Sequence, residues 1–99
     1  MPRSVGRVGL DFVGTLPAVP EAGFSAPIAT NVYVNGAPVV VVDTPIIPHG
    51  KGIHNNPANM MAIGDVTVRV GPSSLPLCAT GDLALCGHVL LSTSNVFVK

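Results

Sequence analysis

Charged and aromatic residues are scarce in this sequence of 99 residues. Charged residues make up 10% of the chain, against roughly a quarter in an ordinary soluble domain. Five basic residues balance five acidic ones, and the aromatic residues are one Tyr, three Phe and no Trp. Nucleic-acid binding needs a basic surface with aromatic side chains beside it, so the composition excludes a nucleic-acid partner.

Long apolar runs are also missing. No stretch approaches the ~18 apolar residues of a membrane span, and the first residues, "MPRSVGRVGLDFVG", are interrupted by Asp11 and by glycines. This N-terminus does not match a secretory signal peptide. We therefore expect the chain to be made in the cytoplasm, where thiols stay reduced and a disulfide between Cys78 and Cys86 is not expected.

Stretches free of Gly and Pro are absent from most of the chain, which contains 11 Gly and 10 Pro. Before Gly87 no dozen consecutive residues lack both, and this excludes ordinary helices. The hydrophobic content of 47% argues against disorder. The sequence therefore predicts one all-β domain over residues 1–99, built from short strands and tight turns.

Four segments of β-branched and aromatic residues are predicted strands: "NVYV" (31–34), "VVVV" (39–42), "VTVRV" (66–70) and "NVFVK" (95–99). Asn35 and Gly36 tolerate positive φ, so they predict a hairpin turn between the first two. Pro38 suits a hairpin edge. The run "VVVV" has no polar alternation, which predicts that both of its faces are covered.

An internal repeat relates these strands. The segments "TNVYVNG", "GDVTVRVG" and "TSNVFVK" share a polar residue before Val-x-Val, and this aligns Asn31, Asp65 and Asn95. An aspartate follows an apolar segment upstream of each, namely Asp11, Asp43 and Asp82. The alignment predicts three units, at roughly 5–36, 37–71 and 75–99.

Ligand-capable side chains fall in the loops of two of these units. The second unit carries His49 and His54, and the third carries Cys86 and His88. The His-x4-His spacing is typical of structural zinc sites, and on a strand Cys86 and His88 would face the same side. These four residues predict a tetrahedral metal site for zinc, with ferrous iron as the alternative ion.

Two further interpretations concern the neighbours of this site. Cys78 is interpreted as a small core residue, and it is the reserve ligand if His54 lies too far away. A catalytic zinc site would need an open position and a general base. Because Glu21 is the only glutamate and lies in the unit without ligands, we expect that the protein is not an enzyme.

The sequence resembles the proline-alanine-alanine-arginine (PAAR) repeat proteins and their PAAR-like phage counterparts, whose repeat runs approximately V-x-V-N-G-x-P-x-A-x-x-G-D before a metal-binding loop. The first junction matches it at Val32, Val34, Asn35, Gly36, Pro38 and Asp43. The second junction matches it at Val66, Val68, Gly71, Pro76, Ala79, Gly81 and Asp82. The namesake tetrapeptide is absent, since "APVVVVD" and "LPLCATGD" stand in its place. This departure indicates a divergent, PAAR-like member.

The resemblance implies a small cone of short β-hairpins with pseudo-threefold symmetry and a zinc or iron ion near the apex. It assigns the ligands to His49, His54, Cys86 and His88. It also implies that one copy caps a trimeric β-helical spike in a phage baseplate or a type VI secretion system. That tip would meet the target membrane only by mechanical piercing. The alternative is a free-standing zinc-binding module that recognises another protein.

Overall fold

Short strands joined by tight turns make up almost all of the regular structure. The computed structural model describes residues 3–15, 19–56, 58–71 and 73–98. Nine strands lie in these ranges: β1 (Arg3–Ser4), β2 (Phe12–Thr15), β3 (Val19–Ala22), β4 (Ala29–Val34), β5 (Ala37–Val39), β6 (Asp65–Val70), β7 (Leu75–Leu77), β8 (Val89–Leu91) and β9 (Phe97–Val98). The one helical segment in the same ranges is a 3₁₀ turn, Gly52–Asn55. No helix described there is long and apolar enough to cross a membrane. The all-β prediction is confirmed.

Strands β4 and β5 form the hairpin that the sequence predicted. Asn35 and Gly36 have φ values of 53° and 83°, and Val34 pairs with Ala37 directly beside them. Two consecutive residues with positive φ give a turn whose twist matches that of the flanking strands. Pro38 lies in β5, which forms a two-stranded sheet with β4, so its missing N–H disrupts no second ladder.

The same pairing recurs in two other places. Strands β6 and β7 form a second hairpin, with an irregular register at the same distance from the turn as in β4 and β5. Strand β9 pairs antiparallel with β1, which joins the two ends of the chain. The equivalent residue pairs in the three ladders are Tyr33 with Pro38, Arg69 with Pro76, and Phe97 with Ser4.

Three backbone segments meet in what we term the central ring: Gly6, Val40 and Cys78. The N–H of Gly6 donates to the carbonyl of Cys78 (3.0 Å), that of Cys78 to Val40 (2.9 Å), and that of Val40 to Gly6 (2.9 Å). Single antiparallel bridges flank each contact: Val5 with Ala79, Arg7 with Val39, and Val41 with Leu77. The hydrogen-bond pattern thus repeats three times around the ring. The division of the sequence into three units stays a prediction.

A polar side chain follows each segment of the central ring and folds back on it. A carboxylate oxygen of Asp11 accepts from the N–H of Arg7 (2.9 Å), and one of Asp82 accepts from the N–H of Ala79 (2.8 Å). In the middle segment the acceptor is the hydroxyl of Thr44, 3.1 Å from the N–H of Val41. The sequence alignment had placed Asp43 there. Asp43 is exposed instead, in a turn with φ of 77°.

Two hydrophobic clusters pack on either side of the ring. One lies among the hairpins: Val5, Ala29, Val34, Val39, Val41 and Leu77. The other leads towards the loops: Val13, Ala22, Phe24, Val40, Ile46, Met61, Cys78, Ala84 and Leu90. Val39 and Val41 lie in the first cluster and Val40 lies in the second, and all three are buried. This confirms the prediction that both faces of "VVVV" are covered. A three-stranded sheet in the order β3-β2-β8 borders the second cluster.

Candidate metal centre

A closed loop carries the first two ligand-capable residues. The N–H of His49 donates to the carbonyl of His54 at 2.7 Å, and the 3₁₀ turn lies between them. Gly50 and Gly52 have φ values of 67° and 63°, which glycine adopts without a steric penalty. The "HGKGIH" spacing therefore folds the chain back on itself and brings the two imidazole rings together, with centroids 5.2 Å apart.

The other two ligand-capable residues lie in a tight turn rather than on a strand. The N–H of Ala84 donates to the carbonyl of His88 (2.9 Å), and that of Gly87 donates to Ala84 (3.0 Å). Gly87 has φ of 90°, which breaks the extended backbone between Cys86 and His88. The prediction that they share a strand face was wrong in its local structure. They converge because the glycine turns the chain.

These four residues form what we term the His/Cys cluster: His49, His54, Cys86 and His88. One ligand atom from each residue lies within 4.8 Å of the ligand atoms of all the others. The ring of His88 lies 5.0 Å from that of His49 and 4.6 Å from that of His54, centroid to centroid. All four side chains are half-buried. The structure thus brings together every site residue that the sequence predicted.

The ring nitrogens of the cluster are arranged as metal ligation requires. The Nδ1 of His49 lies 2.9 Å from the carbonyl oxygen of Ile47, and a proton on Nδ1 leaves Nε2 with a free lone pair. That Nε2 lies 3.1 Å from the Nδ1 of His88. The Nδ1 of His54 is buried and has no hydrogen-bond partner among the described residues. A buried nitrogen without a partner is costly, and ligation would satisfy it.

The donor set is suited to a metal ion. Three imidazole nitrogens and one thiolate sulfur could supply the four ligands of a closed tetrahedral zinc site, since structural zinc takes four N and S ligands from His and Cys. With Zn–N distances near 2.1 Å, two nitrogen ligands of a tetrahedron are about 3.4 Å apart, and the Nε2 of His49 lies 3.1 Å from the Nδ1 of His88. The residues therefore fit the predicted ion, and soft sulfur with imidazole suits zinc or ferrous iron better than calcium or magnesium.

The surroundings favour the neutral form of His88. Burial lowers its pKa below the ordinary value, and the neighbouring His54 and His49 lower it further, while Glu21 acts in the opposite direction. Metal ligation requires a neutral imidazole with a free lone pair. The cluster therefore holds His88 in the protonation state that binds metal.

Glu21 lies near the cluster, which the sequence did not indicate. Its charge acts on His88 although it belongs to the unit without ligands. The cause is the sheet order β3-β2-β8. Glu21 lies in β3, His88 directly precedes β8, and only β2 lies between these two strands. No local signal in the sequence could reveal this, because it depends on which strands pair.

Cys78 is a core residue, as interpreted from the sequence, and does not replace a ligand. Its thiol lies 3.4 Å from the carbonyl of Ile63, and the residue is fully buried in the cluster that leads towards the loops. Burial, with a smaller effect of Asp82, raises its pKa far above the ordinary value. Such a thiol stays protonated in the absence of an ion, and Cys78 is not among the four residues whose ligand atoms converge. Both cysteines are free.

Fold and site together define a small all-β protein with a His₃Cys group that could hold a metal ion. A scan against protein-family models found no match, and a search of curated proteins found no similar protein.

Proposed function

We propose that the protein is a PAAR-like, metal-stabilised tip that caps a trimeric β-helical spike of a contractile phage tail or secretion machine and helps it to pierce the target envelope. The observation that carries the proposal is the His/Cys cluster, whose ligand atoms all lie within 4.8 Å of one another. The cluster joins two loops of a domain whose backbone hydrogen bonds repeat three times around the central ring.

Metal binding would stiffen the end of the molecule that carries these loops. No residue of 49–54 belongs to either hydrophobic cluster, and of residues 86–88 only Cys86 packs against one. A structural zinc ion contributes on the order of 10 kcal/mol to folding at neutral pH in small domains. One ion bound by both loops would therefore fix them where side-chain packing alone could not, and a piercing tip needs such rigidity.

The hairpin end is suited to a partner with threefold symmetry. The three equivalent ladders each present a large exposed side chain, namely Tyr33 (60% exposed), Arg69 and Phe97 (57% exposed). Val66 on β6 is 65% exposed. A chain with three similar surfaces can contact three identical subunits in one complex. We infer that this end meets the spike, with one copy of the protein per trimer.

The two alternative functions differ in what they need from the site. An enzyme would need an open position on the metal, and four protein ligands fill a tetrahedron, which supports a structural role. A free-standing zinc-binding module would have the same closed site. It would not bind a trimeric spike.

The test is capture by a trimeric β-helical spike protein, combined with a metal assay. We expect one zinc or iron ion per chain, and a complex of one chain with three spike subunits in native mass measurements. Tyr33→Asp should abolish capture and keep the metal. The control Leu10→Asp, at an exposed position outside the hairpins and the two metal-binding loops, should keep both. A metal-loaded protein that no spike trimer captures would point to the free-standing module.

A further inference from the structure

The predicted ligands His49 and His88 differ in the partners of their second ring nitrogens. Each imidazole that binds a metal through one nitrogen has an N–H on the other, and in metal sites this N–H is usually donated to a carboxylate or a carbonyl. The Nδ1 of His49 has such a partner in the carbonyl of Ile47 (2.9 Å). The Nδ1 of His88 faces His49. Its Nε2 makes no hydrogen bond with any residue that the structure describes.

The sheet places Glu21 in a strand that lies two strands from the segment of His88. Gly14 pairs with Pro20 on one side and with Val89 on the other. Glu21 directly follows Pro20, and His88 directly precedes Val89. Because neighbouring strands are about 4.8 Å apart, the two backbones are separated by roughly 10 Å, which two extended side chains can span.

Gly14 allows β3 to lie close against β2. A Cβ atom at this position would lie 2.9 Å from the Cα of Pro20 and would also collide with the backbone oxygen of Val19. At this position the central strand has no side chain, and β3 lies closer to it than a residue with a Cβ would allow.

The other carboxylates are engaged or lie elsewhere. Asp11 pairs with Arg7 and Asp82 pairs with Arg3, and Asp65 accepts from Thr67. The carboxylate of Glu21, by contrast, forms no hydrogen bond or ion pair with any residue that the structure describes. A divalent ion with one thiolate and three neutral imidazoles keeps one positive charge. Glu21 would bring the whole site to neutrality.

We propose that Glu21 is a positioning residue of the metal centre, whose carboxylate accepts the Nε2–H of His88 when the ion is bound. This inference rests on the metal binding of the proposed function, though not on the spike. The hydrogen bond fixes the tautomer of His88 with its lone pair on Nδ1, and it makes that nitrogen a stronger ligand.

The experiment compares Glu21→Ala and Glu21→Gln with wild type and with the control Asp43→Asn, which changes an exposed carboxylate in a distant turn. Zinc affinity is measured by competition with a chelator, and Co²⁺ substitution reports the ligand field through its visible absorption. We expect Glu21→Ala to weaken zinc binding 10- to 100-fold and to change the Co²⁺ spectrum. Glu21→Gln should lose less, because its amide oxygen still accepts a hydrogen bond.

The melting temperature of the metal-free protein should be the same in wild type and all three variants, since Glu21 is exposed. Wild-type affinity in Glu21→Ala would overturn the assignment. An equal loss in Glu21→Gln and Glu21→Ala would overturn the hydrogen bond, because charge alone would then explain the effect. A wild-type protein that binds no metal would instead refute the metal site itself, which separates the two failures.

Discussion

The Nε2 atom of His49 lies 3.1 Å from the Nδ1 atom of His88, although 39 residues separate them in the chain. In the absence of an ion, one nitrogen donates to the other, and the carbonyl of Ile47 fixes the proton on the far side of His49. A bound ion would take both lone pairs with little movement of either ring. The backbone therefore prepares the site before metal binds.

Removal of one ligand should separate metal binding from folding. We expect His88→Ala to lose metal binding and to melt at or below the temperature of metal-free wild type, because an ion that contributes on the order of 10 kcal/mol is lost. Thermal unfolding with and without a chelator measures this. The chelator should lower the melting temperature of wild type and leave the variant unchanged. An identical melting temperature and chelator response in both proteins would contradict the site.

The two cysteines provide a matched pair. Cys86→Ala should lose metal affinity, because the thiolate is one of the four ligands. Cys78→Ala should keep one ion per chain and lose about 1–2 kcal/mol of stability, since it removes one buried atom from the core. The Co²⁺-substituted proteins check this, because a sulfur-to-metal absorption band requires the thiolate. That band should persist in Cys78→Ala and disappear in Cys86→Ala, and the reverse result would show that the ligand is Cys78.

The sequence was sufficient for local features that depend on a few residues. Asn35-Gly36 predicted the β4–β5 turn because only certain residues adopt positive φ at two successive positions. The cluster residues could be named because ligand-capable side chains are rare in the chain and occur in two loops. In both cases the residue type itself indicates the role, so no knowledge of strand pairing is needed.

Register could not be predicted in the same way. Strand pairing places Tyr33, Arg69 and Phe97 at equivalent positions, so Thr67, rather than Asp65, corresponds to Asn31 and Asn95. The alignment of the middle unit was therefore shifted by two residues. A shift of two keeps every side chain on the same face of a strand, so the Val-x-Val pattern fits both registers equally well. That Glu21 lies two strands from His88 could not be predicted for a similar reason, since it follows from strand order.

Low pH should remove the contribution of the Asp11 carboxylate to the stability of the fold. Burial raises the pKa of this carboxyl, but hydrogen bonds from Arg7, Ser92 and Thr93 outweigh that effect and hold it below the ordinary value. Its stabilisation is therefore present above the unfolded value of about 3.9 and is lost as the pH falls through the lower folded value. We expect Asp11→Asn to cost about 3 kcal/mol near neutral pH, because it leaves the buried Arg7 without its partner.

Urea unfolding between pH 7 and pH 2.5 measures this dependence. The difference in unfolding free energy between wild type and Asp11→Asn should narrow as the pH falls below about 4. The exposed carboxylate of Asp43 is the control, and Asp43→Asn should follow wild type over the whole range. A difference that stays constant down to pH 2.5 would show that the charge of Asp11 is not what stabilises the fold.

Gly14 cannot be replaced by alanine, because the backbone of β3 lies too close to it, whereas Gly23 has room for a methyl group. A Cβ at Gly14 would overlap the backbone of Val19 and Pro20, and backbone cannot move aside without opening the ladder between β2 and β3. A Cβ at Gly23 would meet only side-chain atoms, the nearest at 3.7 Å, which is ordinary van der Waals contact. We expect Gly14→Ala to destabilise the protein by about 3 kcal/mol or more and Gly23→Ala to change its stability by less than about 1 kcal/mol.

Because Gly14 also lies between the strands of Glu21 and His88, Gly14→Ala should weaken zinc binding as well, whereas Gly23→Ala should keep wild-type affinity. Equal stability and affinity in the two variants would mean that β2 and β3 do not pack as closely as the structure has them.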